Sequence, residues 1–196
     1  MQLVIVNTGC ANISSVRFAI ERLGYSVKVS DKPAEIESAD KVFLPGVGTA
    51  SAAMQQIREK GLSELLPNLR QPVLGICLGM QLMTRYSEEG QVACLDIMDT
   101  QVTRMQVGKL RLPHMGWNQV DPQKDCPLFH GIQRGSYFYF VHSFCVMVGE
   151  HTLASCDYEV PFSASIGRNN FYGVQFHPER SGEAGSRLLK NFIEYC

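Results

Sequence analysis

Short apolar runs alternate with helical periods along the first half of the chain. The run at residues 3–6 predicts a strand, and apolar positions then recur at helical spacing from Ile13 to Leu23, where Gly24 ends the pattern. Further strands are predicted near residues 25–29, 42–44 and 72–76, and further helices near residues 50–58, 62–69 and 78–86. Strands that alternate with helices predict a parallel sheet with helices on both faces.

The second half of the chain is rich in β-forming residues. Strand patterns, with turn residues between them, occur at residues 102–120, 137–148, 152–156, 162–166 and 171–176. Residues 167–170 predict a hairpin turn, and the apolar positions from Leu188 to Ile193 predict a closing amphipathic helix. We therefore expect an α/β fold with a mostly parallel central sheet flanked by helices, and with additional β-hairpins in the C-terminal half.

Composition and charge narrow the function classes. With 196 residues, the chain favours one domain over residues 1–196, because domains average roughly 150 residues. A hydrophobic content of 45% and a charged content of 19% are typical of a globular protein and exclude disorder and coiled coil. The net charge of -1 offers no field that would attract nucleic acid or an anionic membrane. A small molecule or a protein partner is the expected ligand.

The cysteines indicate the compartment. They are odd in number, are never spaced as Cys-x-x-Cys, and are expected to be reduced thiols in the cytoplasm: Cys10, Cys77, Cys94, Cys126, Cys145, Cys156 and Cys196. We find neither the charged n-region of a signal peptide before Arg17 nor an apolar run of transmembrane length. No His, Cys and Asp grouping has ligand spacing, so we expect no metal and no cofactor.

A candidate nucleophile lies in Gly-Ile-Cys-Leu-Gly at residues 75–79, where a predicted strand meets a predicted helix. This is the context of a nucleophile elbow, here with Cys77 in the place of serine. The flanking glycines allow strand and helix to approach closely, and the backbone N–H of Leu78 can donate to an oxyanion. Taken alone, the pattern fits a buried structural cysteine equally well.

A base for this thiol is sought among the five histidines: His114, His130, His142, His151 and His177. Only His177 has a carboxylate placed to orient it, because the strand period puts Glu179 on the same side. An isolated His-Pro-Glu is more simply a surface histidine beside a solvated glutamate. Together with the elbow cysteine it predicts the triad Cys77, His177 and Glu179.

A second oxyanion donor is available in Pro-Gly-Val-Gly at residues 45–48. This segment follows a strand that a doubly wound sheet would place beside the Cys77 strand. Because glycines flank Val47, its peptide plane can flip, and we expect the Val47 N–H to be aimed at substrate only conditionally. An ordinary strand-end turn explains the segment equally well.

Three segments together resemble the class I, or triad, glutamine amidotransferases over the whole chain: residues 45–48, 75–81 and 173–179. Within that family, residues 113–118 and 139–143 look like the glutaminase subunits of imidazole glycerol phosphate synthases. The resemblance implies that Cys77 is the nucleophile, that His177 is the base and acid, and that Glu179 orients His177. It also implies a glutamine-binding set of Gly48, Gln81, His142, Ser143 and Phe144.

The resemblance further implies a partner. The ammonia released from glutamine would pass to a separate cyclase subunit, a (β/α)8 barrel that forms a heterodimer with this chain. That subunit makes imidazole glycerol phosphate and aminoimidazole carboxamide ribonucleotide in histidine biosynthesis. The residues expected to face it are Asn12, Trp117, Asn118 and Arg180. A half-buried core aromatic is an equally good interpretation of Trp117.

Three other functions compete with this interpretation. An autonomous cysteine hydrolase or peptidase would share the elbow and the histidine, but it would be fully active without a partner. A non-enzymatic regulatory subunit would not need the intact triad that is present here. An amidotransferase that serves anthranilate, guanylate or carbamoyl phosphate synthesis would fit the triad, but residues 113–117 and 139–143 favour the histidine pathway.

Overall fold

A computed structural model describes residues 1–9, 11–123 and 125–196, so Cys10 lies outside the described residues. The helices are α1 (Ile13–Arg22), α2 (Pro33–Glu37), α3 (Ala50–Glu59), α4 (Leu78–Leu82) and α5 (Gly182–Tyr195). The strands are β1 (Leu3–Val6), β2 (Val27–Ser30), β3 (Lys41–Gly46), β4 (Val73–Cys77), β5 (Thr84–Ser87), β6 (Val92–Ala93), β7 (Met98–Arg104), β8 (His114–Pro122), β9 (Ser136–His142), β10 (Phe144–Val146), β11 (Thr152–Tyr158), β12 (Val160–Arg168) and β13 (Phe171–Val174).

The large sheet has nine strands in the order β2-β1-β3-β4-β13-β12-β11-β8-β9. The first five of these strands run parallel to one another. The pairs from β13 to β9 are antiparallel and include the predicted hairpin between β12 and β13. The α/β class is confirmed, with the parallel pairing in one half of the sheet and the C-terminal hairpins in the other.

Both faces of the inner parallel strands β1, β3 and β4 are buried. On β1, Leu3 and Ile5 belong to an apolar cluster that includes α1 and α5, while Val4 and Val6 belong to a second cluster on the α3 side. Because neither of their faces meets water, these three strands consist of nearly continuous apolar runs, whereas the edge strand β2 includes partly buried and exposed positions. No described helix is long and apolar enough to cross a membrane.

The predicted helix at residues 78–86 is wrong in its second half. Only Leu78–Leu82 is helical, and residues 84–87 form β5 of a second sheet with the order β10-β7-β5-β6. The Thr84 hydroxyl donates to the Gln81 carbonyl at 2.7 Å, and the Asp96 N–H donates to the Thr84 carbonyl at 3.0 Å. A local side-chain bond and strand pairing therefore replace the helical period.

Several other elements also differ from prediction. The expected helix at 62–69 is only the short 3-10 turn Leu66–Asn68, because Pro67 has no N–H to continue a helix and the apolar spacing reflects burial instead. The strand pattern at 102–120 is interrupted between β7 and β8, and α2 was not predicted. The expected turn at 45–48 begins later, since β3 continues through Pro45 and Gly46 while pairing with β4.

Candidate active site

The Cys77 elbow lies where β4 meets α4. Cys77 has φ 54° and ψ −111°, a left-handed conformation that is rare outside glycine. A Cβ on Gly75 would lie 2.7 Å from the Met80 nitrogen, and one on Gly79 would lie 1.7 Å from the Leu44 oxygen. Glycine is therefore required at both positions for α4 to pack this closely on β3 and β4. The turn leaves Cys77 partly exposed at the carboxyl end of a central strand.

His177 follows β13, which is the parallel neighbour of β4, and so lies beside the elbow. Its Nδ1 is 2.7 Å from Glu179 Oε1, and the two side chains are 7% and 1% exposed. The ring is thus oriented with its other nitrogen available to Cys77. Burial acts to lower the pKa of His177, but hydrogen bonds and charge interactions with Cys77 and Glu179 outweigh it and raise that pKa to about 10.

The backbone of His177 is fixed to strand β9. The His177 N–H donates to the Tyr139 carbonyl at 2.9 Å, and the Ser181 hydroxyl donates to the His177 carbonyl at 2.6 Å. The same hydroxyl accepts the Tyr139 N–H at 2.9 Å. The buried Ser181 hydroxyl therefore links the backbone of His177 to the backbone of Tyr139.

A cavity of about 250 Å³ brings most of the predicted residues together. Pockets for drug-sized ligands measure roughly 300–1,000 Å³, so this one suits a smaller metabolite. The residues that line it are Val47, Gly48, Cys77, Leu78, Gln81, Glu89, Val141, His142, Ser143, Phe144 and His177. Both expected oxyanion residues and the whole expected glutamine-binding set therefore surround the nucleophile.

Glu89 and Val141 line the cavity but were not predicted. Burial raises the pKa of the Glu89 carboxyl, while a hydrogen bond with the Ala50 backbone at the start of α3 acts to lower it. Glu89 follows β5, beyond the predicted helix at residues 78–86, and its only sequence signal is a pair of acidic residues before Gly90. A carboxylate at the cavity wall gives the site one group suited to a cationic ligand atom.

Gln81 is held by the protein as well as facing the cavity. Its Nε2 donates to the Phe144 carbonyl at 3.1 Å and to Gln175 Oε1 at 2.8 Å. An amide nitrogen has two N–H groups, so both are used within the chain. Only Oε1 of Gln81 is then available to a ligand. Gln175, to which the sequence assigns no role, donates from Nε2 to the Cys77 sulfur at 3.7 Å.

Two further buried histidines form a pair at the cavity, of which His142 lines the wall and His114 does not. The Nδ1 of His114 is 2.8 Å from His142 Nε2, and His142 Nδ1 is 2.8 Å from the Phe144 carbonyl. Burial lowers the pKa of His114 to about 4. Burial, together with charge interactions with His114 and His177, lowers the pKa of His142 to about 3 despite its bond to Phe144. Both rings are therefore neutral at pH 7.

The expected partner-facing residues do not share one face. Trp117 is 54% exposed, its ring lies 6.0 Å from that of Tyr139, and the Arg180 guanidinium lies 5.2 Å from the Tyr139 ring. Asn12 is exposed at the start of α1. The Asn118 amide instead donates to the Asp157 carbonyl at 2.9 Å and contacts His114 Nε2 at 3.2 Å. Because side chains alternate along a strand, Asn118 lies on the opposite sheet face from Trp117.

The oxyanion candidates flank the elbow. Gly46 is the strand partner of Cys77, so Val47 follows next to the elbow and lines the same cavity, and Leu78 is the first residue of α4. Val47 is 40% exposed. In residues 1–9, 11–123 and 125–196, no group of three or more His, Cys, Asp or Glu side chains could hold a metal ion.

Comparison with known proteins gives a consistent result. The family Glutamine amidotransferase class-I matches residues 4–195. The chain is 57% identical to imidazole glycerol phosphate synthase subunit HisH of Vibrio cholerae, with 98% of each chain covered. It is 58% identical to the subunit HisH of Pasteurella multocida, covering 98% of this chain and 97% of that one. In fold it resembles PurLQS from Thermotoga maritima, with a TM-score of 0.75 and 17% identity over 99% of this chain and 98% of the other.

Proposed function

The chain belongs to the class I glutamine amidotransferases, and from this premise we propose that it is the glutaminase subunit of an imidazole glycerol phosphate synthase. The observation that carries the proposal is the Cys77 elbow, which shares one cavity with His177, held in turn by Glu179. Two relatives that are similar to this chain over nearly its whole length are named as subunits of such a synthase. We propose further that residues 1–196 form one domain and that the protein works in the cytoplasm.

In the first half-reaction, the Cys77 sulfur attacks the side-chain carboxamide carbon of glutamine. The N–H groups of Leu78 and Val47 stabilise the negative oxygen of the tetrahedral intermediate. As the C–N bond breaks, His177 gives its proton to the leaving nitrogen, and ammonia departs. The raised pKa of His177 supports this role, because it keeps the proton on the imidazole at neutral pH until the leaving group needs it.

In the second half-reaction, the now neutral His177 takes a proton from water. The resulting hydroxide attacks the glutamyl thioester, the C–S bond breaks, and glutamate is released. The proton stays on His177 beside the freed sulfur, which restores the starting state. Glu179 stabilises the imidazolium at both ends of the cycle through its 2.7 Å contact with Nδ1.

Glutamine binding is proposed for the remaining cavity wall. The Glu89 carboxylate fits the α-ammonium of glutamine, and Oε1 of Gln81 is available as a further acceptor. Gly48, Ser143 and Phe144 line the same cavity, and their backbone groups are the proposed partners of the α-carboxylate and the carboxamide. No resident cofactor is proposed, because a thiolate hydrolyses an amide without one.

The ammonia product requires a partner. In water ammonia is soon protonated and loses its nucleophilicity, so it must reach an acceptor site out of contact with solvent. We propose that a (β/α)8-barrel cyclase subunit receives it and makes imidazole glycerol phosphate and aminoimidazole carboxamide ribonucleotide. The exposed cluster of Trp117, Tyr139 and Arg180 is a suitable docking surface, because aromatic and arginine side chains are enriched at interface centres. Asn12 and Asn118 remain candidate interface residues.

The decisive assay is glutamate release from glutamine by the chain alone, and then with the cyclase subunit and its nucleotide ligand. Slight activity alone and a strong rise in the complex are expected, since the Val47 peptide is aimed at substrate only conditionally. Equal activity in both states would overturn the gating and favour an autonomous cysteine hydrolase.

Cys77→Ala should abolish glutamate release and leave partner binding intact, because it removes only the nucleophile. Cys94→Ala is the matched control. Cys94 lies outside the cavity, and burial raises its thiol pKa to about 11, so its loss should leave activity unchanged. Glutamate release by Cys77→Ala would overturn the proposal.

A further inference from the structure

Gln175 is a fully buried polar residue that contacts the nucleophile. It is 0% exposed, and its backbone N–H donates to the Ala164 carbonyl of β12 at 2.8 Å, which fixes its position just after β13 ends. Its side chain joins two groups: Oε1 accepts from Gln81 at 2.8 Å, and Nε2 lies 3.7 Å from the Cys77 sulfur. Most buried side-chain polar groups in proteins have a hydrogen-bond partner, and both ends of the Gln175 amide have one here.

The orientation of this amide is dictated by a backbone carbonyl. The Phe144 carbonyl can only accept, so the group of Gln81 that faces it must be the NH2. The same NH2 then faces Gln175 at 2.8 Å, so that end of Gln175 must be its oxygen. The NH2 of Gln175 is therefore turned towards Cys77. A flipped Gln175 would set its nitrogen against that of Gln81 and its oxygen against the sulfur.

The Phe144 carbonyl also accepts a hydrogen bond from His142, which is paired with His114. Asn118 donates to the Asp157 carbonyl, so the atom that it presents to His114 is also a donor, and Nε2 of His114 must accept. His114 then carries its proton on Nδ1 and donates to His142 Nε2, and His142 donates from Nδ1 to the Phe144 carbonyl. Each donor meets an acceptor only in this one arrangement, with both imidazoles neutral.

We propose that Gln175 is a further catalytic residue, which donates an N–H to the Cys77 sulfur and is fixed in that orientation by the Phe144 carbonyl acting through Gln81. The donor stabilises negative charge on the sulfur both before attack and when the thioester is broken. The inference rests on the proposed function, because it assigns Gln175 to the glutaminase reaction. Gln81 is the positioning residue for Gln175, in addition to lining the cavity.

The test measures the reactivity of the Cys77 sulfur towards an alkylating reagent. Gln175→Met keeps the length of the side chain and removes the donor, and we expect alkylation of Cys77 by iodoacetamide at neutral pH to slow by about tenfold. In the complex, kcat for glutamate release should fall by a similar factor with little change in KM, because Gln175 does not line the cavity. Gln81→Met should also slow alkylation, and the double variant should be no slower than Gln175→Met.

Asn191→Leu is the matched control. Asn191 is an equally buried amide, 0% exposed, which donates to the Leu128 and His130 carbonyls away from the cavity. Its replacement should lower the melting temperature and leave the alkylation rate unchanged. An alkylation rate equal to that of the wild type in a folded Gln175→Met protein would overturn the proposal.

If the Gln175→Met variant does not fold, a second measurement on a different variant tests the same proposal. In the intact chain, Cys77→Ala removes the acceptor, so the side-chain amide resonance of Gln175 should shift while that of Asn191 stays in place. An unmoved Gln175 resonance would overturn the inference. Because alkylation and this spectrum need neither glutamine nor partner, absence of glutamate release by the wild-type complex would refute the proposed function separately.

Discussion

Two buried histidine sites near one cavity have opposite proton affinities. His177 pairs with a carboxylate and a thiol, and its pKa is raised to about 10. His142 pairs with His114 and a backbone carbonyl, and its pKa is lowered to about 3. Burial acts to lower the pKa at both sites, so the difference comes from the partners. A buried imidazole holds a proton where an anion faces it and remains neutral where only dipoles do.

Glu179→Gln is the strongest way to break this contrast. The substitution keeps the side-chain length but removes the charge 2.7 Å from His177 Nδ1, so the pKa of His177 should fall. We expect kcat for glutamate release in the complex to drop by about 10²- to 10⁴-fold, the range of a lost acid–base contribution. Glu183→Gln, at an exposed position in α5, should have no effect. An imidazole pKa that stays near 10 in the NMR titration would show that Cys77 alone holds the proton.

The dependence of stability on pH sharpens the contrast. The pKa values of His114 and His142, about 4 and about 3, lie below the ordinary value near 6.5, so the unfolded chain binds more protons as the pH falls below 6.5. Their stabilising contribution is present above pH 6.5 and is lost below it, by up to about 2 kcal/mol per histidine between pH 6.5 and 5. Urea unfolding at both pH values measures this loss, which His142→Gln should reduce.

His177 should affect the alkaline side of the same dependence of stability on pH. Because its folded pKa is raised to about 10, its contribution is fully present below pH 6.5 and is lost as the pH rises towards 10. His177→Asn should therefore flatten the alkaline limb and leave the acid limb unchanged. If His142→Gln alters the alkaline limb instead, the assignment of the two sites is wrong.

Asn118→Asp is the mildest test, because it places an anion where the neutral pair now has an amide. Asn118 Nδ2 is 3.2 Å from His114 Nε2, so a carboxylate there should raise the pKa of His114 by about 1–2 units towards the behaviour of His177. Imidazole NMR titration measures the change, with Asn118→Ala as the uncharged control. A His114 pKa that remains near 4 would mean that burial, and not the partner, decides its charge.

The two sites also differ in how far the sequence predicts them. Glu179 lies two residues from His177, so strand and turn geometry bring the pair together locally. His114 and His142 are 28 residues apart and meet only because they are register partners of β8 and β9. A register is a tertiary property, and the sequence therefore does not predict that these two histidines pair.

The same distinction holds for the fold. The inner parallel strands β1, β3 and β4 and the elbow were predictable because their apolar runs and the glycines that flank Cys77 are local signals. The second sheet was not, because the residues of β5 continue the helical period of α4 until pairing with β7 overrides it. Glu89, which lies just beyond β5, was missed because its place at the cavity wall depends on tertiary packing and not on a local pattern.

The position of β13 in the sheet delays completion of the fold during translation. This strand leaves the ribosome after the other strands, yet it lies in the middle of the large sheet, between β4 and β12. Until it arrives, two partial sheets present unpaired backbone edges, which are templates for association with other chains. A polypeptide terminated before residue 171 would therefore be a substrate for chaperones and proteases rather than a fragment that wastes glutamine.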